Sequence, residues 1–117
     1  MAHYKWLVFT NCAEGQDADF NRWYDEVHIP DLLRIPGIVA AKRSMLDAAQ
    51  LAVLDSGEMQ LRAPELTGAK FRYLSVYEFD TDDPAAVIQE VIARANTPQM
   101  ELSPHLSEVW TVLYKDR

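Results

Sequence analysis

Apolar and polar positions alternate with a period of two along several stretches of the chain, and recur at helical spacing along two others. His3 to Thr10 (His-Tyr-Lys-Trp-Leu-Val-Phe-Thr) is aromatic and β-branched with no breaker, and reads as a first strand. Asn11 to Asp19 is a polar loop, and Asp17 or Asp19 is placed to cap a helix. On a wheel of about 100° per residue, Phe20, Trp23, Tyr24 and Val27 make one apolar face, with Arg22 and Glu26 opposite. Pro30 has no N–H for residue 26 and its ring crowds that carbonyl, so the helix must kink or stop near His28. Asp31 to Ile35 continue after it. Pro36-Gly37 is a turn, and Ile38 to Leu46 a second strand. Lys70 to Asp80 is a third, with Phe71, Tyr73, Ser75, Tyr77 and Phe79 alternating onto one side. Asp83-Pro84 opens a second helix as N-cap and first helical residue. Its stripe is Val87, Ile88, Val91, Ile92 and Ala95. Leu106 to Lys115 is the fourth strand.

The order β-α-β-β-α-β predicts an α+β, ferredoxin-like fold: a four-stranded antiparallel sheet with two helices on one face. The chain reads as one domain over residues 1–117, large enough to bury roughly two-thirds of its unfolded surface. Residues 48–69 are a long connection, read as a loop or lid. Within it, Ala-Ala-Gln-Leu-Ala-Val-Leu suggests a helical turn or two, and Gly57, Pro64 and Gly68 punctuate the rest. Both sheet faces are apolar. Tyr4, Trp6 and Val8 lie on one side of the first strand and Leu7 and Phe9 on the other. Trp110, Val112 and Tyr114 oppose Val109 and Leu113 in the last. An antiparallel sheet with a wet face alternates more cleanly, so the second face is expected to meet another subunit in a two-fold homodimer.

Charge narrows the partners. The net charge of −7 and pI near 4.8 argue against a nucleic-acid or anionic membrane surface. No stretch approaches the ~18 apolar residues that span a bilayer, and the N-terminus lacks a signal-peptide pattern. The cytoplasm is the expected location. One cysteine, Cys12, excludes an internal disulfide and a cysteine-based zinc site. His3, His28 and His105 lack ligand spacing, and no phosphate loop or serine elbow is present. Neither a metal nor an organic cofactor is expected.

Chemistry gathers at the helix break. Asp25 lies three residues before His28, close enough to touch it on a helix surface. An imidazole moves protons near neutral pH, and a carboxylate can orient it. The bland alternative is that His28 caps the broken helix. Tyr77 is the candidate acid or oxyanion donor, although tyrosines also fill core edges. Tyr24, Trp23, Tyr73, Trp110 and His105 are candidate substrate contacts. Arg43 and Glu78 read as an ion pair on the opposite sheet face.

These stretches resemble a known family. Trp23-Tyr24-Asp25-Glu26-Val27-His28-Ile29-Pro30, the turn Ile35-Pro36-Gly37 followed by Arg43, and Tyr73-Leu74-Ser75-Val76-Tyr77-Glu78-Phe79 resemble the EthD-like proteins of the dimeric α+β barrel superfamily. The likeness covers roughly residues 3 to 114, and residues 48–69 look longer than the family's usual connection. The resemblance implies a homodimeric barrel with the His-x-Pro histidine at a ligand pocket. It does not fix the reaction, since the superfamily includes polyketide cyclases, small monooxygenases, lactone isomerases and haem-degrading enzymes. The expected function is cofactor-independent acid/base catalysis, of isomerase, cyclase, lyase or dehydratase type, on a small aromatic or polyketide-like hydrophobic metabolite. The alternatives are a non-catalytic hydrophobic-ligand-binding dimer and a cofactor-free or haem-dependent monooxygenase.

Overall fold

The computed structural model describes all 117 residues, Met1–Arg117. Strand β1 (Ala2–Cys12) lies inside a four-stranded sheet, between β5 (Tyr73–Thr81) and β6 (Leu106–Lys115). Strand β2 (Ile38–Met45) adds to the far side of β5, so the order is β2-β5-β1-β6 and every pair is antiparallel. The helical run Asp17–Leu33 and helix α3 (Pro84–Arg94) cover one face. Their contact with the sheet is the main core, in which Trp6, Val8, Tyr77 and Phe79 of the strands meet Leu32, Ile35 and Val87. A second buried group, Cys12, Phe20, Tyr24 and Tyr73, joins the start of the helical run to the sheet. The expected α+β arrangement is the observed one.

Helix α3 begins as the sequence predicts, with the Asp83 carboxylate accepting from the Ala86 N–H at 3.1 Å and Pro84 in the first turn. The first helix is different. It does not stop at Pro30 but runs on as α1 (Asp17–Trp23), a π-helical turn (Tyr24–His28) and α2 (Ile29–Leu33). The Ile29 N–H bonds the Tyr24 carbonyl five residues back. That wider turn inserts one residue into the hydrogen-bond ladder and gives the Pro30 ring room without breaking the helix. Gln16, not Asp17 or Asp19, precedes the first turn, and no side chain caps it. Asp17 instead bonds Tyr73 and Arg72.

Residues 48–69 also depart from expectation. The Ala-Ala-Gln-Leu-Ala-Val-Leu stretch is not helical: β3 (Gln50–Val53) and β4 (Met59–Arg62) form a two-stranded hairpin, followed by a 3-10 turn at Pro64–Leu66. The decisive pattern is period two in both strands, with Leu51 and Val53 answered by Leu61 and Met59. Gly57 at φ +88° makes the turn between them. Phe71 lies ahead of β5 rather than in it, and packs on Phe9 of the open sheet face, not beside Tyr73. Cys12 ends β1 and is buried, whereas its neighbourhood reads as loop in the sequence.

Candidate functional site

The π turn decides which side chains face the sheet. In an α-helix the residue below Trp23 on the next turn is Val27. One extra residue in the turn puts His28 there instead, its ring stacked on the indole at 4.6 Å between centroids and 21° between planes. Val27 is left exposed. Tyr24 meets the His28 ring edge-on at 5.0 Å. The Trp23 indole N–H is anchored by the Glu101 carbonyl at 3.1 Å, which fixes the platform beneath the imidazole.

From the sheet, Tyr77 rises to meet this turn. Its hydroxyl donates to the Tyr24 hydroxyl at 3.4 Å, and both side chains are wholly buried. Burial, then the neighbouring Tyr24, pushes the Tyr77 phenol well above its usual pKa, so it stays a proton-bearing donor. Burial lowers the His28 pKa to about 4, against a smaller upward pull from Asp31 and with a further downward push from Arg43. The imidazole is therefore neutral at pH 7. Its Nδ1 is buried without a hydrogen-bond partner, as are the Arg43 Nε and the hydroxyls of Thr10 and Ser75. Native interiors leave few such atoms unpaired.

Arg43 is the residue that sequence reasoning placed on the wrong face. Register in β2 shifts at a bulge between Ile38 and Ala40, which pair with Phe79 and Glu78 respectively. One extra residue inverts the alternation, so Arg43 pairs with Ser75 and points toward the helices. The expected Arg43–Glu78 ion pair is thus not made: Glu78 lies on the open face, opposite Lys5. The guanidinium carbon sits 4.1 Å from the centre of the Tyr24 ring and 5.4 Å from that of Tyr73. Nη1 donates to Asp25 and Nη2 to the Asn21 side chain, each at 3.0 Å. The only sequence signals for this cluster are Asn21 and Asp25 one helical turn apart beside Tyr24, and the basic pair Lys42-Arg43 in a strand that begins apolar.

The same bond takes Asp25 away from His28. The expected Asp25–His28 pair is not formed, because the wider turn swings the carboxylate to the Arg43 side. Arg43 is 15% exposed and Asp25 63%, so a largely buried cation is balanced by a solvent-facing anion. An open cleft of about 370 Å³ leads to this pair, lined by Asn21, Asp25, Arg43, Ser44, Met45 and Tyr73. The Tyr73 hydroxyl is turned from His28 and bonds Asp17, with Asn21 donating to it at 3.3 Å.

Two expected contacts lie elsewhere. Trp110 pairs with Phe9 on the open sheet face and packs against its ring, tilted, at 5.3 Å between centroids, across the sheet from His28. His105 sits in the turn before β6, where its carbonyl accepts from the Ala13 N–H, and no contact joins its ring to Tyr24 or His28. The structure thus brings together Trp23, Tyr24, His28 and Tyr77, with Asp25 and Tyr73 at the cleft. No three His, Cys, Asp or Glu side chains converge as a metal site, and no helix is long and apolar enough to cross a membrane.

The sequence matches no protein-family model and no curated protein. Solved structures do match. A dimeric ferredoxin-like protein of unknown function from Thermobifida fusca YX is 11% identical, with 97% of this chain and 91% of that one covered at a TM-score of 0.51. An EthD family protein from Bacillus halodurans C-125 is 15% identical over 100% of both chains, with a TM-score of 0.47. At such identities the likeness to the first shows one thing, the shared ferredoxin-like fold.

Proposed function

We propose that the chain is an acid/base enzyme of isomerase or lyase type acting on a small aromatic or polyketide-like molecule, with His28 as the proton acceptor. The observation that carries this reading is the neutral, half-buried His28, its Nδ1 buried and unpartnered, beside the hydroxyl pair Tyr24–Tyr77 and the Arg43 cation. A substrate with an acidic C–H next to a carbonyl needs a base for the proton and donors for the oxyanion that forms. His28 takes the proton. The Tyr24 hydroxyl, which accepts from Tyr77, donates to the oxygen, and Arg43 adds positive charge in a site of low polarisability. Return of the proton at another carbon completes an isomerisation. The substrate enters by the cleft at Asn21, Asp25 and Arg43. The resemblance to EthD-like proteins, which implies a His-x-Pro histidine at the ligand pocket, supports the same residue.

The working unit in this proposal is a homodimer. The open sheet face carries Leu7, Phe9, Val76, Trp110 and Val112 with no helix over it, and the Thermobifida fusca protein of the same fold is described as dimeric.

Solvent exchange tests the chemistry without a known substrate. A panel of enolisable aryl ketones and β-dicarbonyls is incubated in D2O and followed by NMR. The expected result is deuterium uptake with the wild type that His28→Ala and Tyr77→Phe abolish or reduce at least about tenfold. Equal uptake by the His28→Ala variant sinks the assignment.

A second reading rests on the packing. Phe20, Tyr24, Tyr77 and Phe79 are wholly buried between helices and sheet, which favours a dimer that binds a small molecule in the outer cleft without turning it over. Saturable binding with no exchange across the panel selects it.

A further inference from the structure

We propose that the β3–β4 hairpin is a dimerisation arm whose apolar face docks on the open sheet face of a second copy of this chain. The inference rests on the homodimer proposed above and extends it by giving the arm a seat. Pairing Leu51 with Leu61 and Val53 with Met59 puts all four on one face of the ribbon, and Gln50, Ala52, Gln60 and Arg62 on the other. The four aliphatic side chains are 62–80% exposed. A two-stranded ribbon is marginal in water by itself and needs a surface to lie on. Within the chain it is the other face that is covered, Ala52 being buried, and the aliphatic face that is left without a surface.

The outline of the chain agrees. Its radius of gyration is 16.1 Å and its extents are 46 × 39 × 17 Å, whereas a compact chain of this size has a radius of gyration of roughly 13 Å. The excess is a flat sheet with an arm beyond it.

The occupant follows from what each copy leaves uncovered. The root of the arm is continuous with the open face: Leu46, Gly68 and Ala69 line one crevice of about 310 Å³ with Phe9, Phe71 and Trp110. Farther along that face Tyr114 is 60% exposed. Trp110, at 54% exposed, adds to the same face, and apolar surface left open on this scale marks an interaction site. Each copy offers one arm and one face. A two-fold exchange covers both and leaves no open end on which a chain of copies could grow.

Light scattering over a dilution series and amide hydrogen exchange of residues 50–62 test this together. The wild type is expected to be a dimer whose arm amides gain protection as concentration rises. L51K/L61K is expected to raise the dimer Kd by about 100-fold or more, and Q60K, on the polar side, to leave it within about threefold. Protection of β1 and β5 amides confirms that the variants are folded. A dimer whose arm amides stay unprotected at every concentration, or whose Kd is unmoved by L51K/L61K, overturns the arm and leaves the sheet-face dimer standing. A wild type that stays monomeric at high micromolar concentration overturns both. The amide measurement on the wild type decides the matter even if L51K/L61K does not fold.

Discussion

The His28 imidazole lies flat on the Trp23 indole, five residues back in the chain, at 4.6 Å between ring centres. A regular α-helix cannot make that stack, because it puts the fourth residue on, Val27, over the indole. The π turn that accommodates Pro30 is therefore also what buries His28. Stability should report it. The folded His28 pKa, about 4, lies below the ordinary value of 6.5, so the unfolded chain binds the extra proton between those values. Stability is full above about pH 6.5 and falls as pH drops toward 4, by up to about 3 kcal/mol. Asp17 and Glu108, held low by hydrogen bonds from Tyr73 and Lys70 first of all, lose their contribution only below about pH 4.5. Urea midpoints at pH 4.5, 5.5 and 7 should slope steeply for the wild type and be nearly flat over pH 5–7 for His28→Phe.

The Tyr24–Tyr77 hydroxyl pair makes a separate prediction. Tyr77→Phe leaves the buried Tyr24 hydroxyl without its partner, which costs about 1–2 kcal/mol. Shape is conserved, so the fold remains and exchange activity drops. Denaturant titration gives the first number and the D2O assay the second.

Arg43 is held by its planar fork, with one arm on Asp25, the other on Asn21 and the Tyr24 ring beneath. Arg43→Lys cannot reproduce that geometry. Arg43→Met keeps the stem packing, removes the charge and takes away one cause of the low His28 pKa. The His28 pKa should rise in Arg43→Met, with a stability loss of about 1 kcal/mol. NMR titration of the ring protons checks the direction.

Gly37 ties the turn after α2 to helix α3. Its φ is +100°, and a Cβ there would stand 2.8 Å from the Val87 Cγ2. Gly37→Ala should cost about 1–3 kcal/mol through backbone strain and the displaced valine, read as a shift in urea midpoint.

The strands and helices were legible where one period dominated: Leu106 to Lys115 matches β6 residue for residue, and Asp83-Pro84 opens α3. What escaped were single-residue insertions. The π residue rotated Val27 out and His28 in. The bulge after Ile38 turned Arg43 from the open face to the site. Neither changes composition or local propensity, and each flips every later side chain, so a regular wheel or alternation misplaces the chemistry it is meant to find. The hairpin at 50–62 was hidden for another reason: its alternation spans four residues per strand, too short to outweigh an alanine-rich, helix-like composition.

The central claim is that His28 is a neutral, half-buried base with its Nδ1 held away from solvent. The most direct measurement is an NMR pH titration of its ring, assigned by comparison with His28→Phe. The account predicts a pKa near 4 and a change in the His28 signals when an enolisable ketone is added at pH 7. A His28 that titrates at 6.5 or above, and whose signals ignore every such ligand, would contradict it.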